Sequence, residues 1–166
     1  KVISNLDSTK SLAMIFQDLQ LADGATAINN VLGGSLGRHS FLSTLFRFPA
    51  EERKEAYHLL AKFQLSGKTN QWTSTLSRGE RQRVAACRTL LTKPHLLFAD
   101  EPVSSLDPSL AVEVLSHIKS SILSRNGCLV CSLHNDEQVA QFADIALILD
   151  PTEPNGWKLE SLKQNN

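Results

Sequence analysis

The chain has 166 residues, of which 42% are hydrophobic and 20% are charged, and its formal net charge at pH 7 is zero with a pI near 7.1. A chain of this length and composition supports one globular domain with a sizeable core. The balanced charge gives no sign of a nucleic-acid-binding face, no stretch reaches the ~20 apolar residues that span a bilayer, and the three cysteines do not indicate a disulfide scaffold.

The first predicted element is a short buried strand within residues 11–17, an apolar run that ends at Gln17. Taken alone, this glutamine is a routine loop residue. From residue 18 to about residue 92 the pattern becomes helical. A short helix is predicted over residues 25–32, and a longer one opens at residues 49–52 with proline and two acids in its first turn.

The phosphate-binding pattern G-x-x-x-x-G-K-[ST] does not occur in these residues. Gly67, Lys68 and Thr69 match its last three positions, but Lys62 stands where the first glycine is required. That segment also follows a predicted helix, whereas a phosphate-binding loop follows a strand. The glycine-rich stretch 33–39 fails as well, because arginine and histidine occupy the positions of lysine and serine or threonine.

A third helix start is predicted at Ser77. Glu80 follows three residues later, and this spacing is a capping box that satisfies backbone donors at the start of a helix running to about residue 92. A helix N-terminus carries a partial positive charge, and Gly79 allows another molecule to approach the backbone. These residues make a candidate anion site, although alone they favour an ordinary capped surface helix.

A buried strand ending in two acids comes next. Residues 96–99 are an apolar run without alternation, which is typical of a parallel strand buried on both faces. Ligands of open α/β sheets bind at the carboxyl ends of strands, so Asp100 and Glu101 are candidates for a metal ligand and for the group that orients a water nucleophile. The alternative is that the acids merely begin the next loop.

The remaining elements continue the alternation of strands and helices. Asp107 is predicted to cap a helix over residues 109–125, and a strand over residues 128–133 leads to His134. A further buried strand is predicted over residues 143–149. This order favours a mostly parallel sheet, with His134 on the same edge as the two acids.

Two of the three cysteines, Cys128 and Cys131, have the spacing C-x-x-C. Positions three apart in a strand point to opposite faces, so the two thiols are not expected to share a metal or close a bridge. We interpret both as small core residues.

In this order, the motifs resemble those of the ATP-binding subunits of ABC transporters. The stretch 76–80 is similar to that family's signature motif Leu-Ser-Gly-Gly-Gln, but Arg78 and Glu80 depart from it. The other similarities are a Q-loop at residues 16–17, a Walker B strand with its adjoining glutamate at 96–101, a D-loop at 104–107 and an H-switch at 132–134. Within the family, residues 30–32 and 41–46 are most similar to ATPases of phosphonate importers.

The resemblance implies a fold and a division of the chain. The expected fold is the α/β P-loop NTPase (RecA-like) fold, with a mostly parallel sheet core and a helical ABC subdomain. Residues 1–17 and 93–166 are expected to form the core, and residues 18–92 the helical subdomain, whose stretch 18–48 would face membrane subunits. Because the chain starts with lysine and lacks a Walker A motif, we expect an N-terminally truncated form that is inactive alone.

The resemblance also implies roles for individual residues. Asp100 would hold Mg²⁺ together with Gln17, Glu101 would polarise the attacking water, and His134 would contact the γ-phosphate of ATP. Asp107 would couple the two sites of a dimer. The signature residues would bind the γ-phosphate of ATP held by the opposite subunit; they are Ser77, Arg78, Gly79 and Glu80.

The implied protein is an ABC-type ATPase of a transporter, acting in import. Its expected partners are a second ATPase subunit in a head-to-tail dimer, transmembrane permease subunits and a substrate-binding protein, and its expected location is the cytoplasmic face of the membrane. Two alternatives stay open. One is a non-hydrolysing partner that lends only a signature face, and the other is an ABC ATPase without a transport role.

Overall fold

The computed structural model describes residues 12–38 and 48–162. The chain divides into two compact units, residues 1–132 and residues 133–166, which are described separately below. The apolar stretch 41–46 that contributed to the predicted phosphonate-importer similarity lies outside the described residues. Within the described ranges, no helix has the length and apolar character needed to cross a membrane.

A three-stranded parallel sheet forms the centre of the first unit. Its strands are β1 (Leu12–Ile15), β2 (Leu96–Ala99) and β3 (Cys128–Cys131), in the spatial order β1-β2-β3. The last residues of the three strands, Ile15, Ala99 and Cys131, are in register. The carboxyl ends of the strands therefore meet at one edge, and the predicted parallel sheet is confirmed.

The two faces of this sheet differ in burial. On one face Ile15 and Leu97 are almost fully buried, whereas on the other Phe98 is 39% exposed and Val130 is 47% exposed. The prediction that β2 is buried on both faces is therefore wrong for one face, since the described helices that contact the sheet leave it uncovered. Cys128 lies on that face and is exposed, so its assignment to the core is also wrong.

Three helices pack against one another beside the sheet: α1 (Ala27–Gly33), α2 (Ala50–Lys62) and α3 (Arg78–Leu91). Their shared core contains fully buried apolar side chains from each helix: Val31, Leu60 and Val84. Helix α3 also contacts β1 and thus links this helical layer to the sheet. The capping box predicted at Ser77 is present in full.

Helix α4 (Pro108–Leu123) connects β2 to β3. The Asp107 side chain accepts a hydrogen bond from the Leu110 N–H, so the predicted N-cap followed by proline is confirmed. The face of α4 that is buried repeats at helical spacing and contains Ala111, Val114, Leu115, Ile118 and Ile122. Burial of this apolar stripe holds α4 against the rest of the unit.

The second unit contains α5 (Asp136–Phe142), β4 (Ile145–Leu149) and β5 (Trp157–Ser161). Strand β4 pairs antiparallel with β5, and Leu147 is 61% exposed. The prediction that β4 is a buried strand is therefore wrong for the face that carries Leu147. Its pairing with β5 has a local cause: the Asp150 N–H donates to the Gly156 carbonyl across a short turn, which brings β5 back beside β4.

Candidate functional site

Two acidic residues and a serine lie together at the carboxyl edge of the sheet. The Asp100 N–H donates to the Ile15 carbonyl at 2.9 Å, which continues the β1–β2 pairing past the end of β2. The Ser132 hydroxyl donates to the Asp100 carboxylate at 2.7 Å and accepts the Glu101 N–H at 2.8 Å. One side chain, just after the end of β3, thereby fixes the carboxylate of Asp100 and the backbone of Glu101.

Glu101 has an unusual backbone conformation. Its φ is +46°, in the left-handed region that residues with a side chain seldom adopt. Hydrogen bonds hold it on both sides, since Ser132 accepts its N–H and the side chain of Gln82 donates to its carbonyl at 2.7 Å. The direction in which Glu101 leaves the strand is thus set by tertiary contacts.

The capped turn at Ser77 carries a carboxylate that has two partners. The Ser77 N–H donates to Glu80 at 2.8 Å, and the Ser77 hydroxyl accepts the Glu80 N–H at 3.2 Å. The Lys68 ammonium lies 3.4 Å from the other oxygen of Glu80. The hydrogen bond from the Ser77 backbone, with a smaller contribution from Lys68, lowers the pKa of Glu80. This carboxylate is therefore held ionised within the turn.

Gly79 lies against the segment that follows the two acids. A Cβ atom on Gly79 would come within 2.9 Å of the Ser105 carbonyl oxygen and 3.0 Å of Leu106 Cδ2. A side chain at this position would require the backbone at Ser105 to shift. The first turn of α3 and residues 104–107 are therefore in direct contact, and Gly79 is the residue that permits it.

An open groove of about 450 Å³ brings two of the predicted site regions together. It is lined by residues from the loop after β1 and from the start of α3: Gln17, Asp18, Leu19, Leu76, Arg78 and Arg81. The guanidinium of Arg88 bonds to the loop after β1, donating to the Leu19 carbonyl at 2.8 Å and to the Gln20 carbonyl at 2.5 Å. Gln17 and Arg78 thus share one surface.

The sequence of the chain matches a known family. Residues 3–104 match the family described as "ABC transporter". The chain belongs to the ABC transporter family. Curated relatives within it include the phosphonates import ATP-binding protein of Frankia casuarinae, which is 38% identical over 136 residues that cover 81% of this chain and 54% of the relative.

The phosphite import ATP-binding protein of Stutzerimonas stutzeri is 39% identical over 132 residues, which cover 80% of this chain and 48% of that protein. The chain therefore spans about half the length of the curated relatives it matches. The phosphonate-importer similarity predicted from the sequence is confirmed by these matches.

Solved structures of ABC cassettes share the fold. A dimeric bacterial ABC transporter cassette aligns with a TM-score of 0.77 at 26% identity, over 92% of this chain and 63% of that one. A post-hydrolysis cassette bound to ADP and phosphate aligns with a TM-score of 0.78 at 25% identity, over 93% of this chain and 64% of that one. The predicted P-loop NTPase fold is confirmed.

The first unit contains the stretches that were predicted as the Walker B acids, the signature turn, the D-loop and the Q-loop. Asp107, in the D-loop, accepts hydrogen bonds from the Leu110 N–H and the Ser109 hydroxyl, and the Leu110 bond contributes most to lowering its pKa. His134 belongs to the second unit, just before the cap of α5 at Asn135. Its predicted clustering with Asp100 and Glu101 stays a prediction.

Two residues that bond to the candidate site were not predicted: Ser132, quoted only as part of the H-switch stretch, and Gln82. Ser132 is recognised by its bonds to Asp100 and Glu101, residues more than thirty positions away. Gln82 did leave a signal in the sequence. It occupies a buried position of α3 in line with Ala86 and Thr89, where an apolar residue is expected. A buried amide in such a stripe indicates a specific hydrogen-bonded partner.

The chemistry of the Asp100 carboxylate fits the predicted Mg²⁺. Magnesium prefers hard oxygen ligands and is usually held by one or two carboxylates together with substrate phosphates and water. Asp100 supplies such an oxygen at the sheet edge, and Gln17 follows the neighbouring strand β1. Over residues 12–38 and 48–162 there is no cluster of three or more histidine, cysteine, aspartate or glutamate side chains able to form a metal cage.

Proposed function

We propose that this chain forms the Walker B and signature part of an ATP-hydrolysing subunit of an ABC importer. The observation that carries the proposal is the hydrogen-bonded set of Asp100, Ser132 and Glu101 at the carboxyl edge of a parallel sheet. An ordered pair of acids at this edge suits phosphoryl transfer, where positioning and charge supply most of the catalysis.

The division of the chain follows from the same proposal. Residues 1–17 and 93–166 belong to the RecA-like core, and residues 18–92 to the helical ABC subdomain. The mutual packing of α1, α2 and α3 supports the helical subdomain. Contact of α3 with β1 supports its attachment to the core.

Each site residue then has a task on the nucleotide. Asp100, with Gln17, would hold Mg²⁺, which when bound neutralises the developing phosphate charge. Glu101 accepts a hydrogen bond from the attacking water and orients it toward the γ-phosphorus. His134 donates a hydrogen bond to the γ-phosphate.

The signature turn acts on the nucleotide of the opposite subunit in a head-to-tail dimer. Its backbone N–H groups and the partial positive charge of the α3 N-terminus favour a phosphate there. Arg78 adds a positive charge, and the bonds to Glu80 from Ser77 and Lys68 offset the charge of that carboxylate. Asp107, in the adjoining D-loop, couples the two sites.

The proposed cargo is an oxyanion of phosphorus, a phosphonate or phosphite. The names of the relatives, phosphonates and phosphite import ATP-binding proteins, support this class. The subunit would then act at the cytoplasmic face of the membrane with transmembrane permease subunits and a substrate-binding protein. ATP hydrolysis by the reconstituted complex should rise when a phosphonate-loaded binding protein is added, and equal rates with unloaded binding protein would contradict this cargo.

The test of hydrolysis uses the full-length polypeptide that contains this chain. Mg²⁺-dependent ATP hydrolysis is measured for the natural protein, for Glu101→Gln and for the control Glu160→Gln, which changes an exposed acid on β5. We expect the Glu101 variant to lose about 100-fold or more in kcat, as for loss of a positioned general base, and the control to retain activity. Hydrolysis unaffected by Glu101→Gln would refute the proposal, and absence of hydrolysis in the natural protein would favour a non-hydrolysing partner.

A further inference from the structure

The side chain of Gln82 connects two site segments. Gln82 lies in the second turn of α3 and is only 5% exposed. Its amide nitrogen donates to the Glu101 carbonyl at 2.7 Å and approaches the Ser104 hydroxyl at 3.4 Å. Its amide oxygen accepts the Ser105 N–H at 3.1 Å. One buried amide thus uses its donor and its acceptor on the same loop.

These two bonds hold both ends of the segment that joins the Walker B acids to the D-loop. One end is the Glu101 carbonyl, which belongs to a residue with a left-handed backbone. The other end is the Ser105 N–H, whose residue also lies against Gly79. Between them Val103 is 5% exposed, so this short segment is packed as well as bonded. The contacts with α3 therefore fix the backbone of residues 101–105.

The chemistry of the two bonds requires glutamine. Glutamate at this position keeps an acceptor for the Ser105 N–H, but an ionised carboxylate has no donor for the Glu101 carbonyl. Methionine has a similar length and neither a strong donor nor a strong acceptor. Gln82→Glu therefore removes only the bond to the Glu101 carbonyl, and Gln82→Met removes both bonds, while the size of the side chain changes little. Comparing the two variants separates the effect of the donor from that of the acceptor.

We propose that Gln82 is a positioning residue for hydrolysis: its amide fixes the backbone of Glu101 and, through Ser105, ties the signature helix to the D-loop. It acts through Glu101 and does not touch the nucleotide. The catalytic part of this inference rests on the proposed function, whereas the positioning of the backbone does not.

The first test measures amide hydrogen exchange in the full-length polypeptide, resolved to residues 100–107. Gln82→Met should raise the exchange rate of the Ser105 N–H about 10-fold or more, because its acceptor is lost. Gln82→Glu should leave the exchange rate of the Ser105 N–H close to that of the natural protein, while the Glu101 carbonyl loses its hydrogen bond. The matched control is Thr89→Val, which removes a buried hydroxyl that donates to the Ala85 carbonyl of the same helix. Unchanged exchange at Ser105 in Gln82→Met would overturn the inference.

The second test separates kcat from KM for ATP. Both Gln82 variants should lose roughly 10- to 100-fold in kcat, the scale expected for displacement of a catalytic group by about 1 Å, while KM changes less than about 2-fold because binding groups are untouched. Thr89→Val should retain kcat. An equal loss of kcat in the control, or a change confined to KM, would overturn the positioning role. If the natural protein hydrolyses no ATP, the proposed function fails and the exchange experiment alone decides.

Discussion

The Ser132 hydroxyl donates to the Asp100 carboxylate at 2.7 Å, and the same oxygen accepts the N–H of the next residue, Glu101, at 2.8 Å. One hydroxyl, on the residue that follows β3, thereby orients both acids at the end of β2. Replacing it should affect the two acids together. A single substitution at Ser132 therefore disturbs both acids without changing the charge of the candidate site.

Ser132→Ala should lower the free energy of unfolding by about 1 kcal/mol, the usual size of a lost hydrogen bond, and reduce kcat by about 10-fold, a larger effect than stability alone explains. Ser132→Thr keeps the hydroxyl, and its free energy of unfolding and kcat should both lie close to those of the natural protein. The measurements are denaturant unfolding and steady-state ATP hydrolysis. A Thr variant as impaired as the Ala variant would show that the hydroxyl is not the cause.

Gly79→Ala should destabilise the protein, although alanine is normally favoured over glycine within a helix by roughly 0.5–1 kcal/mol. The new methyl would meet the Ser105 carbonyl oxygen at 2.9 Å. We expect a net loss of about 1–3 kcal/mol, as for overpacking of a filled site. The control is Gly33→Ala at the end of α1, where a Cβ atom meets nothing within 4 Å. Equal melting temperatures for the two variants would contradict this contact.

The carboxylate of Glu80 should make stability depend on pH. Its pKa in the folded protein lies below the ordinary value of 4.5, mainly because of the hydrogen bond from the Ser77 backbone. A lowered pKa adds stability that is fully present above the ordinary value and is lost as the pH falls through the folded pKa. The gain is expected to be at most about 1 kcal/mol, since the site is near the surface.

Glu80→Gln removes this titration while retaining an acceptor for the Ser77 N–H. The difference in unfolding free energy between the natural protein and the variant should therefore shrink as the pH falls from about 7 to about 3. Lys68→Met removes only the ion pair and should reduce the pH dependence partly. A difference that stays constant over this range would rule out the ionised carboxylate as its source.

Arg88→Ala should loosen the loop that carries Gln17. The guanidinium bonds to the carbonyls of Leu19 and Gln20, whose backbones both have positive φ, at +60° and +46°. Without these bonds, we expect hydrogen exchange at residues 17–20 to rise about 10-fold, with the helix itself unaffected. The control is Arg125→Ala, which removes the bonds from the Arg125 guanidinium to the carbonyl and hydroxyl of Ser121, near the end of α4. Equal exchange in the two variants would contradict the anchoring.

The features that were predicted correctly depend on residues close in sequence. The capping box joins Ser77 to Glu80, and the cap of α4 joins Asp107 to Leu110. Both are local bonds with strict residue preferences, so the sequence is sufficient to find them. The alternation of strands and helices was similarly enough to predict the parallel sheet.

The features that were missed depend on distant contacts or on what covers a surface. Gln82 bonds to a residue nineteen positions away, and no local pattern encodes that pair. The apolar run of β2 is compatible with two buried faces, but burial is decided by which helices pack on the sheet. For β4, the turn at residues 150–156 accounts for the pairing with β5, but no local pattern shows that one face of the strand is exposed.

Sedimentation of the full-length Glu101→Gln protein tests most directly whether ATP is bound at a composite site between two subunits. Without the oriented water, bound ATP should persist and hold two subunits together through the signature turn at Ser77. We expect a dimer with Mg²⁺-ATP and a monomer with Mg²⁺-ADP. A variant that remains monomeric while ATP is shown to be bound would contradict it.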